Sequence, residues 1–295
     1  MAFSANRMVG PASALGSMTS VQLGAALAVQ VMVIHGSFGI TAMRLVCAAV
    51  VMLVLVRPNI FKFSRRQWLG ALALGGAMAF MTLAYFEAVT LIPIGPAVTI
   101  DFLGPLAVAV VALTGWSRYV LPLLAVGGVV AISWSTGGWL FNPVGILFAL
   151  VSACGWAAYI VLMQHVGRLF SKQDGLCLSI VIAATIAFGI VLVLKPSEMS
   201  LPLLPVSAGL ALLAPLIPFS LEMVALRRMD MGAFSILMSL EPAIGALLGF
   251  LVLHQMLSLQ QIAGVFAVMI ASAGAVYLSA FKNHEDTALG VKITG

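Results

Sequence analysis

Four carboxylates and one guanidinium stand where a mostly apolar chain should carry no charge: Glu87, Asp101, Glu222, Glu241 and Arg44 all fall inside runs of hydrophobic residues. An ionisable group held at depth in hydrocarbon costs about 2.5–3.5 kcal/mol on insertion scales, so it is kept facing a partner or a wet cavity. Carboxyls in such a place can take up and release protons and pair with a cation, while a guanidinium can receive an anion. Asp101 lies about two turns into its segment and Glu241 near the middle of its own, too deep to reach the segment end. Glu87 and Glu222 stand about four residues from a segment end, where they either line the cavity or reach the interface. Arg44 shares its half of the segment bundle with Glu87 and Asp101, and an ion pair with one of them is expected, as a structural or a functional contact.

Prolines accompany the acids. Pro105 and Pro242 follow Asp101 and Glu241, and Pro215 and Pro218 precede Glu222. Proline leaves a carbonyl without its donor and breaks a helix, which is tolerated at membrane depth where protein or a cavity supplies other partners. These four prolines are therefore expected to mark helix breaks lining a cavity, against the alternative of ordinary kinks. Gly75 and Gly76 are expected to loosen the helix that carries Glu87. Tyr85, Phe86 and Phe102 flank the acids, either as pocket walls or as ordinary packing. Gly232, Ser235, Ser239 and Ala246 form a small-residue face that would let another helix approach closely.

The elements that position these residues follow from composition. Of 295 residues, 62% are hydrophobic and 8% charged, with a mean hydropathy of +1.16. A soluble domain carries about 25% charged residues and could not hide so much apolar surface. A bilayer core about 30 Å thick takes about 20 apolar residues per helical span, and the apolar runs give spans at about 9–33, 37–56, 68–91, 94–115, 119–137, 143–165, 176–194, 203–226, 231–253 and 258–281. Arg7 before the first run resembles a signal-peptide start, but the run is too long and further spans follow, so it is expected to remain as the first helix.

Placing both termini in the cytoplasm puts Arg7, Arg57, Lys62, Arg65, Arg66, Arg118, Arg168, Lys172, Arg227, Arg228, Lys282 and Lys292 on the cytoplasmic side, as the bias of basic residues requires. Lys195 alone falls outside. These charges are scattered singly, which speaks against nucleic acid as a partner and for membrane topology. Cys47, Cys154 and Cys177 have neither metal nor disulfide spacing and are expected as small core residues. His35, His165, His254 and His284 give no metal spacing, and no cofactor is expected. Neither HExxH nor GxSxG occurs, which argues against an intramembrane metalloprotease or serine hydrolase.

The halves resemble each other. "FEAVTL" at 86–91 answers to "LEMVAL" at 221–226, and "FLGPLAVAVVA" at 102–112 to "SLEPAIGALLG" at 239–249, at an offset of about 135 residues. Five spans, an odd number, separate equivalent helices, so the halves are inverted relative to each other, as in many secondary carriers. The expected fold is an all-α integral membrane protein of ten transmembrane helices in two inverted five-helix repeats, residues 1–140 and 141–282, with a cytoplasmic tail at 283–295.

"TIDFLGPLAVAV" at 99–110, "PFSLEMVALRRMDMGAFSILMSLEPA" at 218–243, "CGWAAYIVLMQHVGR" at 154–168 and "TAMRL" around Arg44 resemble segments of the EamA group of the drug/metabolite transporter superfamily, most of all its bacterial inner-membrane threonine and homoserine exporters. The resemblance spans the chain. Its pattern has Glu where this chain has Asp101, Tyr where it has Phe219, and Gly-Glu where it has His254 and Gln255; Glu222 and Glu241 fall on matching positions. The resemblance implies alternating access and efflux of a small amino acid across the inner membrane, with no enzymatic activity. On this expectation Glu241 and Asp101 exchange protons against an ammonium group, and Arg44 or a broken-helix N-terminus receives a carboxylate. Efflux of another metabolite or a drug is the alternative, with a small-molecule sensor behind it.

Overall fold

Without water to satisfy its amides, a chain at membrane depth must close its hydrogen bonds within itself, and helices do so. The computed structural model describes residues 2–111, 115–135, 138–139, 142–170, 173–226, 228 and 237–288. Its helices are α1 (Ala2–His35), α2 (Ser37–Val56), α3 (Arg65–Leu91), α4 (Ile94–Asp101), α5 (Leu103–Val111), α6 (Ser117–Ser133), α7 (Pro143–Leu169), α8 (Asp174–Leu194), α9 (Leu204–Ala211), α10 (Ile217–Leu226), α11 (Glu241–Leu253) and α12 (Leu259–Ala288). Five of these segments are long and apolar enough to cross a bilayer, starting at Val9, Ser37, Arg65, Pro143 and Asp174; shorter apolar helices lie over Ile94–Val108, Ser117–Ile132, Leu201–Leu216, Glu241–Leu253 and Leu259–Ala275.

The polarity of the bundle is inverted relative to a soluble protein. Leu55, Phe80, Val111, Leu123, Leu147, Val193, Leu251 and Phe266 are exposed, while Gln22, Arg44, Asp101 and Glu241 are buried. The interior is built from small residues, such as Ala42, Ala48 and Ala49 of α2 against Ala183, Ala184 and Ala187 of α8. Without a hydrophobic force between helices in lipid, close packing of small side chains is what holds them together. Gly104 shows how close: a Cβ there would strike the Ala153 carbonyl on α7.

The packed pairs are α3 with α7 and α8, α1 with α10 and α11, α2 with α8 and α9, α4 with α7 and α11, and α6 with α12. Local chemistry sets the ends. Ser64 and Gln67 form a reciprocal capping box at the start of α3, and Asn142 accepts from the Val144 N–H at the start of α7; each satisfies donors a helix leaves open. Lys195, the basic residue on the wrong side of the expected topology, is neutralised by Glu198 at 3.3 Å.

Several expectations need correction. The helix of the fifth span ends at Ser133, short of the expected 137, and Trp134 pairs with Trp139 and Ser135 with Gly138 in a two-residue antiparallel ladder. Gly75 and Gly76 do not loosen α3, which is continuous; Gly75 lets α8 close in, since a Cβ would lie 2.7 Å from the Ser179 carbonyl. Cys154 is exposed, whereas Cys47 is half-buried and Cys177 buried. The helix of the last span runs on to Ala288, past the expected start of the tail. Lys172, Arg227, Gly232, Ser235 and Lys292 lie outside the described residues.

The departure at 254–255 has a structural meaning. His254 closes α11 in the left-handed region at φ 55°, where glycine carries no penalty. His254→Gly is therefore expected to stabilise the protein by about 1 kcal/mol, seen as a raised unfolding temperature in detergent. Gln255 turns its Oε1 onto the Ile94 N–H at 3.1 Å, capping α4, which has no side-chain cap of its own. What position 255 supplies is an acceptor for a helix end, and an amide supplies it without a charge.

Candidate functional site

The prolines do open the helices at the acids. Pro105 stands four residues after Asp101, so the Asp101 carbonyl loses its helical donor, and α4 gives way to α5 at Phe102. Pro242 occupies the first turn of α11, directly after Glu241, which places that carboxyl at a helix N-terminus, where negative charge is favoured. Pro215 and Pro218 divide the eighth span into α9 and α10 around Ala214, whose φ and ψ of −157° and 112° are extended. The Leu213 carbonyl beside this break accepts the Ser20 hydroxyl of α1 at 2.8 Å.

These breaks gather a polar centre. Gln22 of α1 donates from Nε2 to Glu241 Oε1 at 3.0 Å, and its Oε1 accepts from the Tyr85 hydroxyl of α3 at 3.4 Å. Asp101, Glu241 and Arg44 all act electrostatically on that hydroxyl, and Glu241 feels Asp101 and Glu222. Arg44, Asp101 and Glu241 are 2%, 7% and 5% exposed. Arg44 Nε and Nη1, Asp101 Oδ1 and Glu241 Oε2 find no hydrogen-bond partner among the described residues. Ser152 sits beside the Asp101 carboxyl, with its own hydroxyl 3.2 Å from the Met81 carbonyl.

Arg44 does not make the expected ion pair. Among the described residues the ion pair formed is that of Lys195 with Glu198; the Arg44 guanidinium instead lies over the Phe86 ring, 3.9 Å from its centroid, with Tyr85 edge-on to the same ring at 5.0 Å. The ring face offers partial negative charge but leaves the planar donors open. Phe102 packs edge-to-face on Trp156 at 5.3 Å.

Glu87 and Glu222 are each held by a serine hydroxyl. Glu222 accepts from the Ser17 hydroxyl at 2.8 Å and acts on Tyr159 of α7. Glu87 accepts from Ser37 and lines a cavity of about 240 Å³ with Met32, Thr90, Lys195 and Glu198. Glu198 also caps α2 by accepting from the Gly39 N–H at 3.0 Å.

Residues 143–277 match the EamA-like transporter family. Over 88% of this chain and 88% of theirs, relatives are 30% identical: the threonine/homoserine exporter RhtA of Salmonella typhimurium strain LT2, across 269 residues, and that of Escherichia coli K12, across 272. The chain belongs to the EamA-like transporter family. A protein of solved crystal structure, 19% identical, superposes with a TM-score of 0.61 over 92% of this chain and 98% of its own; that likeness concerns the fold. Family members are membrane transporters, which agrees with the polar centre held inside an apolar bundle.

Sequence reasoning missed Gln22, Ser17, Ser20 and Ser152. The signal was present in part: Gln22 is an amide inside a long apolar run, and a buried amide costs several kcal/mol in hydrocarbon unless it is hydrogen-bonded. Attention to charged groups alone passed over it.

Proposed function

We propose that this EamA-family transporter exports small zwitterionic amino acids of the threonine and homoserine kind from the cytoplasm, in exchange for protons. The observation that carries this is the unpaired charge at the centre: a buried guanidinium with open donors, and two buried carboxyls each with a spare oxygen, all around Tyr85. A zwitterion supplies a carboxylate for Arg44 and an ammonium for Asp101 or Glu241. The names of the 30%-identical relatives support the same substrate class.

In this reading the chain forms ten spans in the bacterial inner membrane with both termini cytoplasmic, built from inverted repeats at 1–140 and 141–282. Helix packing supports the repeat. Exchanging each span with the one five places on turns the α3–α7 pair into α10–α1, α3–α8 into α9–α2 and α4–α7 into α11–α1, and returns α2–α8, α4–α11 and α6–α12 to themselves; all of these pairs pack. Rocking of one repeat against the other then opens the centre to each side in turn. Glu241 and Asp101 take a proton when substrate leaves and release it when substrate binds; Glu222 lies on the inner approach and Glu87 at the outer mouth. A proton crossing a gradient equivalent to about 150 mV supplies roughly 3.5 kcal/mol, enough for a gradient of a few hundred at about 1.4 kcal/mol per tenfold.

Counterflow of labelled threonine and homoserine in proteoliposomes, against a panel of amino acids and with or without an imposed pH gradient, is the test. Saturable movement of these two, faster with the gradient, is expected. If folded protein moves no amino acid, the substrate assignment falls and the search turns to other metabolites.

A further inference from the structure

Gln22 of α1 joins Tyr85 of α3 and Glu241 of α11 in the polar centre. Its side chain is buried, at 2% exposure. Its two ends are both used, the amide nitrogen on Glu241 Oε1 and the amide oxygen on the Tyr85 hydroxyl. Its space is protected by Gly245, one turn along α11 from Glu241, where an added Cβ would lie 3.3 Å from Gln22 Oε1.

An amide between a carboxyl and a hydroxyl can be satisfied in two orientations. With Glu241 ionised, the amide N–H points to the carboxylate and the carbonyl accepts the tyrosine O–H, as observed. With Glu241 protonated, its O–H can donate to the amide carbonyl once the amide turns over; the N–H then points to the tyrosine oxygen, and the tyrosine proton is free to turn away.

We propose that Gln22 is a positioning residue that couples the Glu241 carboxyl to the Tyr85 hydroxyl, its amide orientation following the protonation of Glu241 and setting the direction in which that hydroxyl donates. No proton passes through the amide; what passes is the direction of a hydrogen bond. The coupling rests on the proposed transport mechanism for its purpose but not for its detection.

Infrared difference spectroscopy of the purified protein in liposomes tests it, with the Glu241 and Asp101 carboxyl bands identified by their loss in Glu241→Gln and Asp101→Asn. Gln22→Leu is expected to move the Glu241 carbonyl band to higher wavenumber, because the protonated carboxyl loses the amide carbonyl that accepts its O–H. Tyr85→Phe, which leaves Glu241 itself untouched, is expected to move the same band through the amide, and to move it no further when Gln22→Leu is already present. A Glu241 band unmoved by Tyr85→Phe overturns the coupling even if Gln22→Leu fails to fold. In counterflow, Gln22→Leu is expected to raise the half-saturating threonine concentration at least tenfold with a smaller change in the saturated rate. Absence of threonine movement in the unmodified protein would sink the substrate reading while leaving the infrared result to decide the coupling.

Discussion

Glu241→Gln is expected to reduce proton-driven threonine accumulation in proteoliposomes to the level of empty liposomes, with the amount of folded protein unchanged. The substitution keeps shape and volume. The new side-chain carbonyl can still accept from Gln22 Nε2, which now sits 3.0 Å from Glu241 Oε1, so the contact between α1 and α11 survives. Two properties are lost: the ability to take and release a proton, and the negative charge at the N-terminus of α11. The second contributes only about 0.3–1 kcal/mol to a helix end, too little to unfold the protein. Loss of transport from a well-folded variant would therefore report the proton step. Full accumulation by Glu241→Gln would take this residue out of the mechanism and leave Asp101 as the coupling acid.

The fold was legible where the physics is local. Ten apolar runs follow from the thickness of hydrocarbon, and the breaks at Asp101, Ala214 and Glu241 follow from prolines that remove a donor at known offsets. The site was legible as a set of charges but not as a set of partners. Position along the expected spans puts Arg44 and Asp101 at similar depth, yet whether they touch depends on the rotation of α2 against α4, and the structure turns Arg44 onto Phe86 instead. Glu87 and Glu222 align in the sequence, but alignment along the chain says nothing of which helices meet, and the structure sets them against Ser37 and Ser17. Gln22 was invisible because its importance comes from three helices meeting at one point, and a sequence read span by span contains no such information.

Arg44→Met is expected to abolish threonine counterflow while leaving the unfolding temperature unchanged or higher. The sign separates two roles for a buried cation. Had Arg44 been paired with Asp101, removing it would strand a buried carboxylate and cost about 3–5 kcal/mol. Here it has no carboxylate partner among the described residues, and two of its nitrogens are without acceptors. Burial of such a cation is itself unfavourable by several kcal/mol, offset only in part by the Phe86 ring, an interaction of about 2 kcal/mol when desolvated. Methionine fills comparable space and packs on the ring without a charge, so the fold loses little and sheds a cost. A bundle that retains such a group against that cost has its anion supplied from elsewhere, and in the proposed cycle the substrate carboxylate supplies it. Thermal unfolding and counterflow measured on the same preparation decide the matter: a strong loss of stability with transport intact would make Arg44 a structural residue and move the carboxylate site to a helix break.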